Sequence, residues 1–300
     1  MEQHKPEKNS SGAQRVDIQW FPGHMTKTLR LMEREIRNVD VVLQLLDARI
    51  PHSSQNPEIA RITAGKPHLY LLNKADLADP EITAQWVNYF RRGGDGCLAI
   101  TSRERSGMQQ VKKAIEAALS ELLARRAGKG MAGAKRRVMV VGIPNVGKST
   151  FINSFAGSAR AKTADRPGVT RGKQWVTVGD FDLLDMPGVL WKKFDSSIVA
   201  GNLAFIGSIR DEILDIESLA MALLGEIRQM YPERLCERYR LSKEDLAEED
   251  PYLLLETIGR RRGMLMSGGA VNTERAAIML VDEFRGAKLG RVSLERPGEA

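Results

Sequence analysis

The sequence predicts an α/β protein: a mostly parallel sheet covered by helices on both faces, followed by an all-α C-terminal domain. Three observations carry this. Short apolar runs bounded by polar turn residues alternate with stretches of helical periodicity. The connections between the runs are long enough for crossover helices, which parallel pairing requires. Beyond about Asp195 the strand signals fade and only helical patterns remain.

The elements follow in order. Trp20-Phe21-Pro22-Gly23-His24-Met25 reads as a turn leading into an amphipathic helix, Thr26 to Asn38, with Leu29, Met32 and Ile36 on one face. Val41–Leu46 is a short apolar run closed by Asp47-Ala48-Arg49-Ile50-Pro51, a buried strand. His68–Leu72 is a second strand, a helix is expected over Glu81–Arg92, and Cys97–Thr101 is a third strand. Gly107 to Arg126 reads as one long helix with Val111, Ile115, Leu119, Leu122 and Leu123 at helical spacing. Residues 127–137 form a glycine-rich basic linker. Val138–Val141 is a fourth strand feeding a glycine-rich loop and a helix, and Trp175–Val178 with Phe181–Leu184 reads as a hairpin around Gly179-Asp180.

The strongest chemical signal is Gly142-Ile143-Pro144-Asn145-Val146-Gly147-Lys148-Ser149, a full match to G-x-x-x-x-G-K-[ST] between a strand and a helix. Such a P-loop turns backbone N–H groups inward around phosphates, and the following helix N-terminus favours an anion. Asn145, Val146, Gly147, Lys148, Ser149 and Thr150 are therefore expected at the phosphates, with Lys148 on the β and γ oxygens and Ser149 on Mg²⁺. A P-loop does not choose a base. Asn73-Lys74-Ala75-Asp76, directly after a buried strand, does: a carboxylate at Asp76 can accept both N1–H and the N2 amine of guanine. Leu241-Ser242-Lys243-Glu244-Asp245 is a decoy of similar spelling in helical sequence. A backbone amide at Thr101-Ser102 is expected to meet guanine O6. Asp185-Met186-Pro187-Gly188 would place Asp185 on Mg²⁺ through water and the Gly188 amide on the γ-phosphate. Pro167-Gly168-Val169-Thr170 occupies the place of a mobile switch, with Thr170 completing the Mg²⁺ shell.

The base-reading motifs thus precede the P-loop and both switches, whereas a Ras-like GTPase has its phosphate motifs first. The expected architecture is a Ras-like P-loop GTPase fold, circularly permuted, with residues 127–137 joining the old termini. The boundaries expected are a flexible leader at 1–17, a GTPase domain at 18–194 (base-reading half 18–126, phosphate half 138–194) and a helical domain at 195–300.

In this order of motifs the chain resembles the circularly permuted GTPases, and among them the YlqF/RbgA family, the ribosome biogenesis GTPase A proteins, which has a mitochondrial relative. The resemblance rests on Trp20–Met25, Asp47–Pro51, Asn73–Asp76, Gly142–Ser149, Pro167–Thr170, Asp185–Gly188, Arg262–Gly269 and Phe284–Arg291. It implies GTP hydrolysis that is slow alone and stimulated by the large ribosomal subunit precursor, and a helical domain touching its ribosomal RNA. The expected form is a monomer in the cytoplasm, ahead of the mitochondrial matrix.

Hydrolysis needs a group that orients the attacking water, and Ras-like enzymes use a glutamine after the switch II glycine. Here Val189, Leu190 and Trp191 follow Gly188. The resemblance points to His24 as the substitute, against a reading in which His24 caps or packs its helix. Asn145 resembles the asparagine of potassium-activated GTPases that coordinates K⁺ beside the phosphates, against a reading as a loop-shaping residue. The catalytic set expected is His24, Asn145 and Lys148.

The C-terminal part carries no catalytic constellation. Its basic groups are Arg260, Arg261 and Arg262, and the trio Arg285, Lys288 and Arg291, each beside a glycine-rich turn. They read either as a solvated helix face or as phosphate contacts, and the resemblance favours RNA. Residues 1–188 carry a net charge of +10 and residues 189–300 a net −3, so most attraction for a polyanion resides in the first part. Two cysteines far apart exclude a disulfide scaffold and a cysteine zinc site, and no apolar run is long enough to span a bilayer. Two other function classes stay open: a P-loop ATPase or kinase, opposed by Asn73–Asp76, and a nucleotide-regulated RNA-binding module with negligible turnover.

Overall fold

The computed structural model describes residues 23–131, 133–157, 173–194 and 196–298. The leader, Trp20–Pro22 and the Pro167–Thr170 segment with Thr170 lie outside the described residues. The chain divides into two compact units.

The first unit contains α1 (Gly23–Glu35), β1 (Val41–Asp47), α2 (Pro57–Thr63), β2 (His68–Asn73), α3 (Pro80–Arg92), β3 (Gly96–Ala99), α4 (Met108–Ala118), α5 (Ser120–Gly128), β4 (Arg136–Gly142), α6 (Lys148–Ala156), β5 (Gln174–Val178) and β6 (Phe181–Asp185). The strands form one sheet in the order β3-β2-β1-β4-β6-β5. All neighbours are parallel except β5 and β6, which form the expected hairpin. β1 is central, and its seven residues are all buried, which is why its sequence is a continuous apolar run rather than an alternating one. Its one amide, Gln44, meets His68 Nε2 at 3.0 Å.

The first strand of the chain therefore pairs with both halves of the sheet, β2 on one side and β4 on the other, as a permuted connection demands. The joint between the halves is pinned at Asp40, whose carboxylate accepts both Arg126 guanidinium nitrogens (3.0 and 2.7 Å) and the Arg137 N–H (2.9 Å). Lys135 and Arg136 pair with Asp182 and Asp180 of the hairpin, so two of the linker's four basic residues are matched within the fold.

Three elements differ from expectation: α1 starts at Gly23 rather than Thr26 and gives way to a 3-10 turn at Ile36–Asn38, α2 is a helix the sequence pattern does not announce, and a long helix is split. The helix expected over Gly107–Arg126 is broken at Leu119 (φ −104°, ψ 6°) into α4 and α5. Met108, Val111, Ile115 and Leu119 are all buried, so the apolar stripe ends at the break. No residue of α5 is buried, and packing fixes only the first segment.

The second unit comprises Ser196–Phe205 and Arg210–Gly290. It holds α7 (Ser197–Phe205), α8 (Ile216–Met230), α9 (Pro232–Tyr239), α10 (Lys243–Leu246), α11 (Pro251–Arg261) and α12 (Thr273–Arg285), with no strand among its described residues. Its core joins Leu219, Leu223 and Ile227 of α8, Leu254 and Ile258 of α11, and Ala277, Leu280 and Phe284 of α12. The decoy Ser242–Asp245 is a capping box: Ser242 Oγ accepts the Asp245 N–H, and the Asp245 carboxylate accepts the Ser242 N–H. Residues Ile206–Ile209 and 291–298 belong to the first unit, although the sequence boundary expected at 194/195 put both in the helical part.

Candidate functional site

Four motif residues end four neighbouring strands on the same edge of the sheet. Asp47 closes β1, Asn73 closes β2, Gly142 closes β4 and Asp185 closes β6. The register sets Asp47 opposite Asn73, Leu45 opposite Gly142 and Val140 opposite Asp185. Strand order reverses about β1, and ligands of open α/β sheets bind at such carboxyl ends.

Asn73 ties the loops together. Its Nδ2 donates to Val146 O in the P-loop (2.7 Å), and its Oδ1 accepts the Ser102 N–H (3.0 Å). The approach is close enough that a Cβ on Gly147 would lie 2.4 Å from Asn73 Nδ2, and Gly147 takes φ +101° besides. The Ser102 N–H is donated to Asn73, and the Ser102 carbonyl accepts from Ser154 Oγ.

Lys74 adopts φ 59° and sets its Nζ 3.0 Å from Asp47 Oδ2. Asp47 is fully buried and also takes Arg49 Nε (2.9 Å) and Nη2 (2.8 Å). Burial pushes the Asp47 carboxyl up, but the Arg49 guanidinium and Lys74 ammonium outweigh it and hold the group well below the usual carboxylate range. The Asp47–Pro51 turn is thus a charged floor under the base-reading loop. Asp76, two residues past Lys74, is exposed, its carboxylate open to a ligand from solvent.

In the P-loop, Lys148 opens α6, and its Nζ donates to Ile143 O (2.8 Å) and Gly142 O (3.2 Å). Burial lowers its pKa to about 8; Asp185 opposes that shift and Lys74 adds to it. The Asp185–Gly188 turn lies directly against the P-loop: a Cβ on Gly188 would fall 2.7 Å from Pro144 Cα, 2.8 Å from Pro144 N and 2.9 Å from Lys148 Nζ. Beyond it, Val189, Leu190 and Trp191 are buried. Val189 O accepts from Asn56 Nδ2 (2.9 Å), and the Leu190 N–H points at Met25 Sδ (3.5 Å). His24 is exposed at the start of α1, one residue from that contact.

Asn145 sits at φ 58° and donates Nδ2 to Gly207 O (2.6 Å), while Ser208 Oγ donates to Pro144 O (2.8 Å). Residues 206–209 therefore buttress the P-loop, a contact with no sequence signature.

Arg291, one of the expected RNA contacts, is exposed and folds onto the loop after β2: Nη2 donates to Ala75 O and Nε to Ala78 O, both at 2.8 Å. Val292 N–H reaches Leu77 O (3.1 Å), Leu294 N–H reaches Arg49 O (2.8 Å), and the buried Glu295 carboxylate accepts the N–H groups of His52 (2.7 Å) and Ser53 (3.0 Å). The alternation Val292-Ser293-Leu294-Glu295 after Gly290 was the available hint of an extended segment. Arg285 is likewise engaged inside its own unit, with Ala204 O, Phe205 O and Asp211. Arg262 shares Glu283 with Arg238 and Tyr239. Arg260 and Arg261 form exposed pairs with Glu256 and Asp245.

A family model described as 50S ribosome-binding GTPase matches residues 137–231, from the P-loop strand into the helical unit. The ribosome biogenesis GTPase A of Bacillus cereus is 43% identical over 285 residues, covering 94% of this chain and 95% of the relative. That of Priestia megaterium is 44% identical over 289 residues, covering 95% and 99%. The chain belongs to the ribosome biogenesis GTPase A family. A crystal structure of GNP-bound YlqF from T. maritima agrees, at TM-score 0.60 and 28% identity over 91% of this chain and all of that one. As a member of that family the protein is a GTPase with a permuted G domain, and Arg291 closes the loop that follows β2. An Arg291→Ala variant is expected to lose about 1 kcal/mol of stability by uncapping two carbonyls. Amide hydrogen exchange over residues 74–79 should accelerate while the α8–α12 core is unchanged; unchanged exchange in that loop would contradict the assignment.

Proposed function

We propose that the chain is a GTP-driven assembly factor of the large ribosomal subunit, with the sheet unit holding the nucleotide and the helical unit contacting ribosomal RNA. The single observation that carries the reading is the Asn73 bridge, which joins the P-loop and both base-reading loops into one pocket at the strand ends. In this reading Asp76 accepts from guanine and Lys74 flanks the base. Thr101 and Ser102 form the pocket's edge. The P-loop amides of Asn145 through Thr150 surround the phosphates, and the Gly188 amide meets the γ-phosphate.

Ser149 and Asp185 fit Mg²⁺, a hard cation that takes one or two oxygen side chains and completes its shell with phosphates and water. Mg²⁺ there supplies charge neutralisation of the β and γ oxygens. Thr170 is proposed as the third protein ligand. Asn145 is proposed to ligate K⁺: its Nδ2 is directed to Gly207, which turns Oδ1 the other way. His24 is proposed to orient the attacking water, supported by its place beside the Met25–Leu190 contact. In the helical unit the phosphate contacts proposed are Arg260, Arg261 and Lys288. The cytoplasm is the compartment proposed, and a monomer the form.

GTP hydrolysis measured with and without large-subunit particles, in KCl and in NaCl, tests the reading. Stimulation by particles and a fall in Na⁺ are expected, and His24→Ala should lower turnover with GTP affinity near normal. Equal rates with and without particles would overturn the assembly role; equal rates in both salts would remove K⁺.

The lowered pKa of Lys148 gives a pH signature. Phosphates bind the protonated ammonium, so above pH 8 nucleotide binding must take up a proton. Affinity for a fluorescent GDP is expected to be level below pH 7 and to fall toward about tenfold per pH unit above pH 8. A level profile to pH 9 would contradict this.

A further inference from the structure

One face of α1 is not used by the nucleotide site. Met25, Thr28 and Met32 turn inward, and Lys27, Arg30 and Arg34 lie on the opposite side, at i, i+3 and i+7, with Arg37 continuing the row in the 3-10 turn Ile36–Asn38 that follows. All four are exposed, and none forms an ion pair among the described residues. The carboxylates of the helix are paired elsewhere, Glu33 with Arg61 (2.8 Å) and Glu35 with Lys173 (2.8 Å), although Arg34 also acts on Glu35 through its charge. The stripe borders a groove of about 690 Å³ whose described lining is Lys27, Arg30, Glu33, Arg34 and Arg37, with no apolar side chain.

We infer that this stripe is a docking track for the phosphodiester backbone of an RNA duplex. Ten residues of helix span about 15 Å, so four cations in a row can follow several successive phosphates. The chemistry fits RNA rather than a protein or lipid surface, since the face offers positive charge and no apolar anchor, and duplex RNA is recognised chiefly through its backbone. The track lies on the sheet unit, where the chain's excess positive charge is concentrated, and is separate from Arg260 and Arg261. It also has a route to the nucleotide. The same helix carries His24 in its first turn and touches switch II through Met25 and Leu190, so RNA seated on its outer face bears on the element that carries the proposed water-orienting group. The inference rests on the RNA-binding part of the function proposed above.

The test compares the full chain with a Lys27→Gln/Arg30→Gln/Arg34→Gln/Arg37→Gln variant and an Arg260→Gln/Arg261→Gln variant. Each is titrated with a fluorescent 20-base-pair RNA duplex across a KCl series. The α1 variant is expected to lose more than tenfold in affinity at low salt, and its slope of log K against log[KCl] should flatten by about 3 to 4, near 0.9 per phosphate contact removed. GDP affinity and melting temperature should match the unsubstituted chain. An Arg30→Lys/Arg34→Lys/Arg37→Lys variant, which keeps the charge, should bind as the unsubstituted chain does. If the α1 variant binds with unchanged affinity and slope while the Arg260/Arg261 variant is weakened, the track is overturned and the RNA-binding reading stands. If the unsubstituted chain does not bind the duplex, both fall.

Discussion

Replacing Asn73 by alanine is expected to cost more than any other single change at the site that leaves the P-loop sequence intact. The amide is buried and makes two hydrogen bonds to different loops. Removing it strands the Val146 carbonyl and the Ser102 N–H, at about 1–3 kcal/mol each. The expected fall in melting temperature is on the order of 5–15 °C for a domain of this size. Nucleotide affinity should fall more than a hundredfold, because the phosphate and base halves of the pocket are no longer joined. Asn73→Asp separates the two bonds: the carboxylate still accepts from Ser102 but faces the Val146 carbonyl oxygen, so it should be impaired nearly as much. Isothermal titration with GDP and a thermal melt of each variant decide the matter. An alanine variant that binds GDP with unchanged affinity would overturn the bridge.

Gly188→Ala is the second. The added methyl would meet Pro144 Cα and N, which are backbone and cannot rotate away, as well as the Lys148 ammonium. Either switch II or the P-loop must retreat by roughly an ångström, a displacement that costs about a hundredfold in turnover at a positioned site. Ground-state GDP affinity should fall far less, since GDP lacks the γ-phosphate this glycine is proposed to meet. A GTP turnover assay paired with GDP binding reads the split; wild-type turnover would show that the turn yields without consequence.

The strand ends and motif loops were legible because each is a contiguous stretch whose residue types have one main physical use. A glycine-rich turn between an apolar strand and a helix has few readings, and Asn-Lys-Ala-Asp after a buried strand has hardly more. Asp47 and Arg49 stand in a short polar turn, which reads as exposed in sequence, yet both are buried and Asp47 pairs with Lys74. Asn145 on Gly207, Asn56 on Val189 and Arg291 on Ala75 and Ala78 were illegible for a common reason. Each is a side chain bonded to a main-chain carbonyl far along the chain, and a carbonyl is identical in every residue. The break at Leu119 escaped because apolar spacing continues past it, whereas burial does not.

The return of Arg291 to the base-reading loop has a consequence for how the protein is made. Ala75 and Arg291 are 216 positions apart, and the whole of Arg210–Gly290 lies between them in sequence. Closing so large a loop is slow, and contacts of this kind form late in folding. During synthesis the Asn73–Asp76 loop leaves the ribosome long before its clasp does. A nascent sheet unit therefore carries that loop without its Arg291 clasp until the helical segment has been translated.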